Sequence, residues 1–256
     1  MTLLRAFFCA LGFLTRFPAP GRGEPLSPRV AGLSVAFFPL VGALLGAALA
    51  GAGWLILERF GLPPHPAWAL GLVALHAYLT GALHLDGLSD VADGLGGGHG
   101  NRERMLEIMR DTRIGAFGVV AIVLLLAGKV VAMGEVLRLD RPLLLLLAFP
   151  VAARFAVVPL VVFFPCARPE GLARTFHDGS GAPAALVAAA LAAGALWAAG
   201  EPAWLPAAAA LAGALAVGAW IAVRLRGLTG DAYGAAIEVA ELGFLLAAAF
   251  PRIRGG

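Results

Sequence analysis

The sequence predicts an all-α, polytopic integral membrane helical bundle with about seven transmembrane helices. Of its 256 residues, 60% are hydrophobic and only 14% are charged. A soluble domain carries about 25% charged residues, and a soluble fold of this length has too little interior to bury so much apolar surface. The composition therefore excludes a soluble globular enzyme and a disordered chain, and it indicates a protein embedded in lipid.

Seven apolar segments have the length that a membrane span requires, roughly 20 predominantly apolar residues. Four contain no charged residue, namely 30–57, 60–85, 179–200 and 202–223. Three more contain charges, namely 116–137, 142–164 and 232–250. Each is predicted to be a helix, because a spanning helix satisfies its own backbone hydrogen bonds in lipid.

Residues 1–29 are predicted to form an interfacial segment ahead of the first span. Large apolar residues recur at helical spacing from Phe7 to Leu14, but the run is too short to cross a membrane. We expect an amphipathic helix that lies at the membrane surface and ends at Pro18. No linker, repeat or change in composition divides the sequence, which predicts a single transmembrane catalytic domain over residues 1–256.

The arginines predict a cytoplasmic N-terminus, because basic loops are retained on that side. With this orientation twelve arginines face inward: Arg5, Arg16, Arg22, Arg29, Arg102, Arg104, Arg110, Arg113, Arg168, Arg174, Arg224 and Arg226. Five face outward: Arg59, Arg138, Arg141, Arg252 and Arg254. The polar loops 84–115, 165–182 and 224–234 then share the cytoplasmic face, and 84–115 is expected to be the catalytic loop.

Three aspartates indicate a metal site. Asp86, Asp90 and Asp93 stand at i, i+4 and i+7, which places them on one face of a helix. Mg²⁺ or Mn²⁺ would suit them, because Mg²⁺ usually takes one or two carboxylates and completes its shell with substrate phosphates. The alternative is a solvated acidic helix end beside the membrane.

Two further groups of charges accompany this row. Glu103, Glu107 and Asp111 form a second row at helical spacing, which either supports the site or belongs to a salt-bridged surface helix. Intramembrane ionisable residues are functional by default, and they include Lys129, Arg154, Glu238 and Glu241. Arg154 needs a partner, either one of those glutamates or a substrate phosphate, and Lys129 is expected to extend toward the outer face.

Two long stretches resemble the signature of the cobalamin synthase family. They are HLDGLSDVADG at 84–94 and RMLEIMRDTRIGAFG at 104–118. Shorter stretches at 13–18, 167–172 and 227–234 agree, and Thr112 departs from the serine expected there. The resemblance implies a Mg²⁺-dependent transferase of the bacterial or archaeal cytoplasmic (inner) membrane, with its active site facing the cytoplasm. It implies that adenosylcobinamide-GDP and α-ribazole, or α-ribazole 5′-phosphate, are joined with release of GMP.

The resemblance and the charges together give the candidate residues their roles. Asp86, Asp90 and Asp93 are the expected metal ligands. Phosphate-binding candidates are Arg102, Arg104, Arg113 and Arg154. The acceptor of the hydroxyl proton is left open among Asp111, Asp231 and His84. Supporting acids are Glu107, Glu238 and Glu241. No nucleic-acid partner is expected at a formal net charge of +3, and an oligomer is left open.

Two other functions fit part of this pattern. A lipid phosphotransferase of the CDP-alcohol phosphatidyltransferase type also pairs aspartates, as 90–94 does, but the Ala-Arg that follows in that motif is missing here. A transporter would explain the intramembrane charges, but the acids gather at one end of the spans and the sequence shows no inverted repeat.

Overall fold

The computed structural model describes residues 2–20, 26–200 and 203–255. Within them the chain is almost entirely helical. Its helices are α1 (Thr2–Leu14), α2 (Pro28–Ser34), α3 (Phe38–Trp54), α4 (Pro66–Thr80), α5 (Leu83–Gly97), α6 (Arg102–Ile108), α7 (Ala116–Val136), α8 (Pro142–Ala156), α9 (Val158–Phe163), α10 (Leu172–Gly179), α11 (Ala182–Ala199), α12 (Trp204–Leu225) and α13 (Gly230–Gly255). The side chains of Arg22, Arg252 and Arg254, which the arginine count includes, lie outside the described residues.

Six helical stretches of the described chain are long and apolar enough to cross a membrane. They are Pro28–Arg59, Ala116–Val136, Pro142–Phe163, Ala182–Ala199, Trp204–Leu225 and Gly230–Phe250. The pair α4 and α5 would make a seventh if it is counted as one broken span. This confirms the predicted polytopic helical membrane bundle.

The predicted span at 60–85 is wrong as a continuous helix. Helix α4 begins only at Pro66, and α5 leaves it at an angle of 89°. The break falls at Gly81 and Ala82, whose φ angles of 65° and 56° are both left-handed. A left-handed residue of this kind ends a helix, so the acidic residues that follow start a new helix with its own direction.

Helix α1 lies where a helix was predicted but ends at Leu14, before the predicted Pro18, and its position at the membrane interface stays a prediction. The Thr15 hydroxyl donates a 2.6 Å hydrogen bond to the carbonyl oxygen of Leu11. The backbone nitrogen of Arg16 then bonds the carbonyl oxygen of Leu79, at 3.0 Å. The chain therefore leaves the helix early because it attaches to the end of α4.

Helix α5 lies across one end of the bundle, where α7 and α13 begin. A Cβ atom on Gly87 would stand 2.7 Å from the carbonyl oxygen of Asp231, at the start of α13. A Cβ atom on Gly118, in the first turn of α7, would stand 2.2 Å from the Ser89 hydroxyl. Because small residues let the backbones approach this closely, the acidic helix is packed directly onto the starts of two membrane helices.

Candidate active site

A cavity of about 420 Å³ opens between α5, the start of α13 and the segment 165–174. Its apolar side includes Phe13 of α1 and Leu172 of α10. Its polar lining consists of His84, Asp86, Arg168, Glu170, Arg174, Thr229, Asp231 and Tyr233. The three polar loops predicted to share one face of the membrane therefore meet in a single cavity.

Two loops that line the cavity, at 165–167 and at 228, pair with each other through backbone hydrogen bonds. The backbone nitrogen of Ala167 donates to the carbonyl oxygen of Leu228 at 2.8 Å, and the nitrogen of Leu228 donates to the carbonyl oxygen of Pro165 at the same distance. Arg102 joins these loops to α6, since it donates to the carbonyl oxygens of Leu225 and Ala167, each at 2.7 Å. Most of its donors are used, so Arg102 contributes to this site by fixing the loops.

Arg168 is the residue that this pairing presents to the cavity. Its guanidinium lies 3.6 Å from the nearer carboxylate oxygen of Asp231. Its Nε and Nη2 atoms are buried with no hydrogen-bond partner among the described residues, and so is that oxygen of Asp231. Since buried polar groups are normally paired, these atoms indicate a ligand, and a planar guanidinium fork suits phosphate.

Sequence reasoning missed Arg168 as a site residue. The only signal was its position in the 167–172 stretch, whose loop carries no charge row or helical spacing. Arg174, in the first turn of α10, was also missed as a site residue; it lines the cavity while its Nε donates to Asp178 at 2.7 Å.

The three aspartates of α5 face different surroundings. Asp86 is exposed at the cavity, Asp90 is half-buried, and Asp93 is buried. The two oxygens of Asp93 accept hydrogen bonds from the backbone nitrogens of Gly115, at 2.7 Å, and Gly118, at 2.9 Å. Asp93 thus satisfies unpaired donors at the N-terminus of α7, where a negative charge is favourable. Its role as a metal ligand stays a prediction.

The donor set fits a magnesium ion that depends on its substrate for part of its shell. Among the described residues, no three His, Cys, Asp or Glu side chains are grouped closely enough to hold a metal ion by themselves. Asp90 nevertheless lies within electrostatic range of Asp86, Asp93 and Asp231. A divalent cation would relieve this repulsion, and one or two carboxylates suffice for Mg²⁺ when phosphates supply the rest.

A balanced cluster of four charges lies beneath the cavity, inside the bundle. Lys129 pairs with Glu238 at 2.5 Å and also with Glu241, and Arg154 pairs with Glu241. All four side chains are buried, so the expectation that Lys129 reaches the outer face is wrong. Of the partners considered for Arg154, the structure provides Glu241, and a phosphate role for Arg154 stays a prediction.

Arg154 also connects this cluster to the cavity. Its Nη2 atom lies 3.5 Å from Nδ1 of His84, and His84 lines the cavity. An arginine can only donate here, so Nδ1 of His84 is the acceptor and a neutral ring keeps its proton on Nε2.

Four other predicted site residues are exposed on the protein surface. Arg104 pairs with Glu107 at 2.7 Å, and Arg113 pairs with Asp111 at 2.6 Å. The hydrogen bonds from Arg113 lower the pKa of Asp111 to about 2. None of these four residues lines the cavity. Of the predicted residues, the structure brings His84, Asp86 and Asp231 together at its wall.

Fold and site together define a polytopic helical membrane protein whose bundle carries, at one end, a cavity lined by carboxylates and arginines. Comparisons with known proteins place it more narrowly. The family model described as "Cobalamin-5-phosphate synthase" matches residues 6–249. The chain belongs to this family, and the resemblance drawn from its sequence is confirmed.

Curated relatives agree over nearly the full length. A protein of Alkalilimnicola ehrlichii is 45% identical over 96% of this chain and 95% of its own. One of Geotalea daltonii is 42% identical over 94% of this chain and 95% of its own. One of Desulfitobacterium hafniense is 39% identical over 98% of both. All three are named adenosylcobinamide-GDP ribazoletransferase, so the chain is a transferase. No solved structure matches the chain.

Proposed function

We propose that this chain joins adenosylcobinamide-GDP to α-ribazole, or to α-ribazole 5′-phosphate, and releases GMP in a Mg²⁺-dependent reaction. The observation that carries the proposal is the cavity in which the unpaired guanidinium nitrogens of Arg168 stand beside the carboxylates of Asp86 and Asp231. That arrangement suits a pyrophosphate substrate, and the relatives are named for a substrate of that kind.

The reaction exchanges one phosphorus–oxygen bond for another. The ribose hydroxyl oxygen of the riboside attacks the phosphorus on the cobinamide side, a new P–O bond forms, and GMP leaves with the electron pair of the broken bond. Arg168 and Arg174 are placed to neutralise charge on the transferring and leaving oxygens. The hydroxyl proton must pass to a group on the protein or to water.

Asp231 is the best placed of the three candidate bases. Asp111 is held by Arg113 outside the cavity. His84 faces Arg154 with its only acceptor nitrogen, so its other nitrogen donates. Asp231 lines the cavity with an oxygen that accepts no hydrogen bond among the described residues. We therefore assign proton acceptance to Asp231 and hydrogen-bond donation to His84.

Asp86 and Asp90 are the residues that would hold Mg²⁺. A bound magnesium ion would neutralise charge on the phosphate oxygens of the substrate. Asp93 would position these two aspartates, because it fixes α5 to the start of α7 through Gly115 and Gly118. This division of the acidic row agrees with the graded exposure of its three members.

We propose that the protein lies in the bacterial or archaeal inner membrane and that its cavity opens on the cytoplasmic side. The arginine count supports this orientation, because the sequence assigns twelve arginines to one side and five to the other, and basic segments are retained in the cytoplasm. Nucleotide-activated substrates are cytoplasmic, and their charged phosphates would then reach the cavity without crossing lipid.

A turnover assay on detergent-purified protein tests the proposal. Adenosylcobinamide-GDP and α-ribazole are supplied, and GMP and the corrinoid product are followed by chromatography. We expect equal amounts of the two products, loss of turnover in Arg168→Ala, and retention in Arg110→Ala, an exposed arginine that does not line the cavity. A product that partitions into organic solvent from CDP-alcohol substrates, with no GMP formed, would replace this proposal with the lipid phosphotransferase.

A further inference from the structure

A second cleft, of about 550 Å³, lies at the same end of the bundle, between the turn before α6 and the end of α12. Its polar lining includes Asn101, Arg102, Glu103, Arg224 and Arg226. It shares no lining residue with the cavity described above. The paired loops at 165–167 and 228, together with Arg102, stand between the two.

The cleft carries a positive charge that the described protein does not neutralise. Three arginines face one acid, Glu103, which lies 3.4 Å from Nη1 of Arg102. Arg226 is exposed, and its side chain has no hydrogen bond or ion pair among the described residues. Its φ of 54° is left-handed, the conformation that ends α12 at this residue, so Arg226 directly follows the last turn of the helix.

The wall formed by α12 faces the membrane. Val223, in the last turn of a helix long enough to span, is 79% exposed. One turn earlier, Trp220 is 47% exposed, and the guanidinium of Arg224 lies 4.2 Å from its ring centroid. Tryptophan and arginine at the end of a spanning helix mark the interface between hydrocarbon and headgroups. The cleft is therefore basic at headgroup depth and apolar immediately below it.

We propose that this cleft is a binding site for an anionic phospholipid. The phosphate lies between Arg226 and Arg224, and an acyl chain follows the exposed α12 surface past Val223. Charge complementarity and the apolar wall favour a lipid over a free phosphate ion, because a phosphate ion has no apolar part that could pack against the wall. Basic pockets between spanning helices are known as sites for acidic lipid headgroups. This site is independent of the transfer reaction proposed above.

The tryptophans of this chain allow a direct test. Of the five, Trp54, Trp68, Trp197 and Trp204 lie at the ends of helices away from the cleft, and only Trp220 lies beside it. The variant W54F/W68F/W197F/W204F therefore keeps one fluorophore, at the site. In nanodiscs it is exposed to brominated phosphatidylglycerol or brominated phosphatidylcholine at equal mole fractions.

We expect brominated phosphatidylglycerol to quench Trp220 at a lower mole fraction than brominated phosphatidylcholine. Arg226→Ala should raise the mole fraction for half-maximal quenching about fivefold, the effect of one arginine near an anionic surface. Arg59→Ala, an exposed arginine at the opposite end, should leave it unchanged. Equal quenching by the two lipids would overturn the proposal. Binding of inorganic phosphate at the site, with no preference for phosphatidylglycerol over phosphatidylcholine, would also overturn it.

A second readout needs no tryptophan replacement. The Tm of the otherwise unaltered chain is measured in nanodiscs with and without phosphatidylglycerol, because a ligand that binds only the folded state raises Tm. The rise should be smaller in Arg226→Ala than in Arg59→Ala. An equal rise in both variants would contradict the site, whatever the outcome of the turnover assay.

Discussion

A carboxylate oxygen of Asp93 lies 2.9 Å from the backbone nitrogen of Gly118, which donates a hydrogen bond to it across the contact between α5 and α7. The second oxygen accepts from Gly115 at 2.7 Å. Asp93, whose spacing along α5 predicts a metal ligand, thus attaches the acidic helix to the membrane helix α7. Position 118 has no room for a larger residue, which makes this contact open to test.

Gly118→Ala is expected to lower stability. The added methyl group would meet the Ser89 hydroxyl at 2.2 Å and an Asp93 oxygen at 2.5 Å, so α5 must shift. Overpacking of this kind costs about 1–3 kcal/mol. Thermal unfolding in one detergent measures the effect. Gly194→Ala, in α11 where a Cβ atom meets nothing within 4 Å, is the control and should not lower Tm.

The buried charge cluster predicts that the double variant Lys129→Met/Glu238→Gln is more stable than the single variant Glu238→Gln. Glu238→Gln leaves Lys129 and Arg154 with only Glu241 between them, and an unbalanced buried charge costs about 3–5 kcal/mol. Lys129→Met/Glu238→Gln restores the balance and keeps the direct pair of Arg154 with Glu241. A double variant with a Tm as low as that of Glu238→Gln would show that balance is not what holds the cluster.

The choice of Asp231 as proton acceptor predicts a specific kinetic difference. Asp231→Asn should lower kcat by about 100-fold or more while KM changes little, as expected for loss of a general base. Asp111→Asn should keep kcat within a few-fold, because Asp111 is held by Arg113 away from the cavity. Steady-state turnover separates the two, and the opposite ranking would return the role to Asp111.

Much of the fold was predictable because lipid imposes it. Long uncharged runs, such as 30–57, leave the backbone no alternative to a helix, and Pro28–Arg59 confirms that run. The break at Gly81 and Ala82 was hidden because both residues are as apolar as a continuous span requires. Left-handed φ angles and contacts such as Arg16 with Leu79 depend on tertiary packing, which hydropathy does not record.

The site was predictable only where charges repeat at helical spacing. That pattern located Asp86 and its neighbours, and costly intramembrane charge located Arg154 and Glu241, which form an ion pair. Arg168 lies in a loop without periodicity, and its position beside Asp231 depends on the pairing of 165–167 with 228. Asp93 is turned away from the cavity because it bonds the start of α7. The spacing of residues along α5 alone gives no information about where α7 begins.

The central claim is that Asp86 and Asp90 support Mg²⁺-dependent transfer at the cavity. The most direct measurement is GMP release from adenosylcobinamide-GDP and α-ribazole as a function of Mg²⁺ concentration. Unaltered protein and Asp86→Asn are compared, with Asp140→Asn, an exposed aspartate between α7 and α8, as the control. We predict that chelation abolishes GMP release, that Asp86→Asn needs far more Mg²⁺, and that Asp140→Asn matches the unaltered protein. Full turnover by Asp86→Asn at the same Mg²⁺ concentration, or turnover after chelation, would contradict the claim.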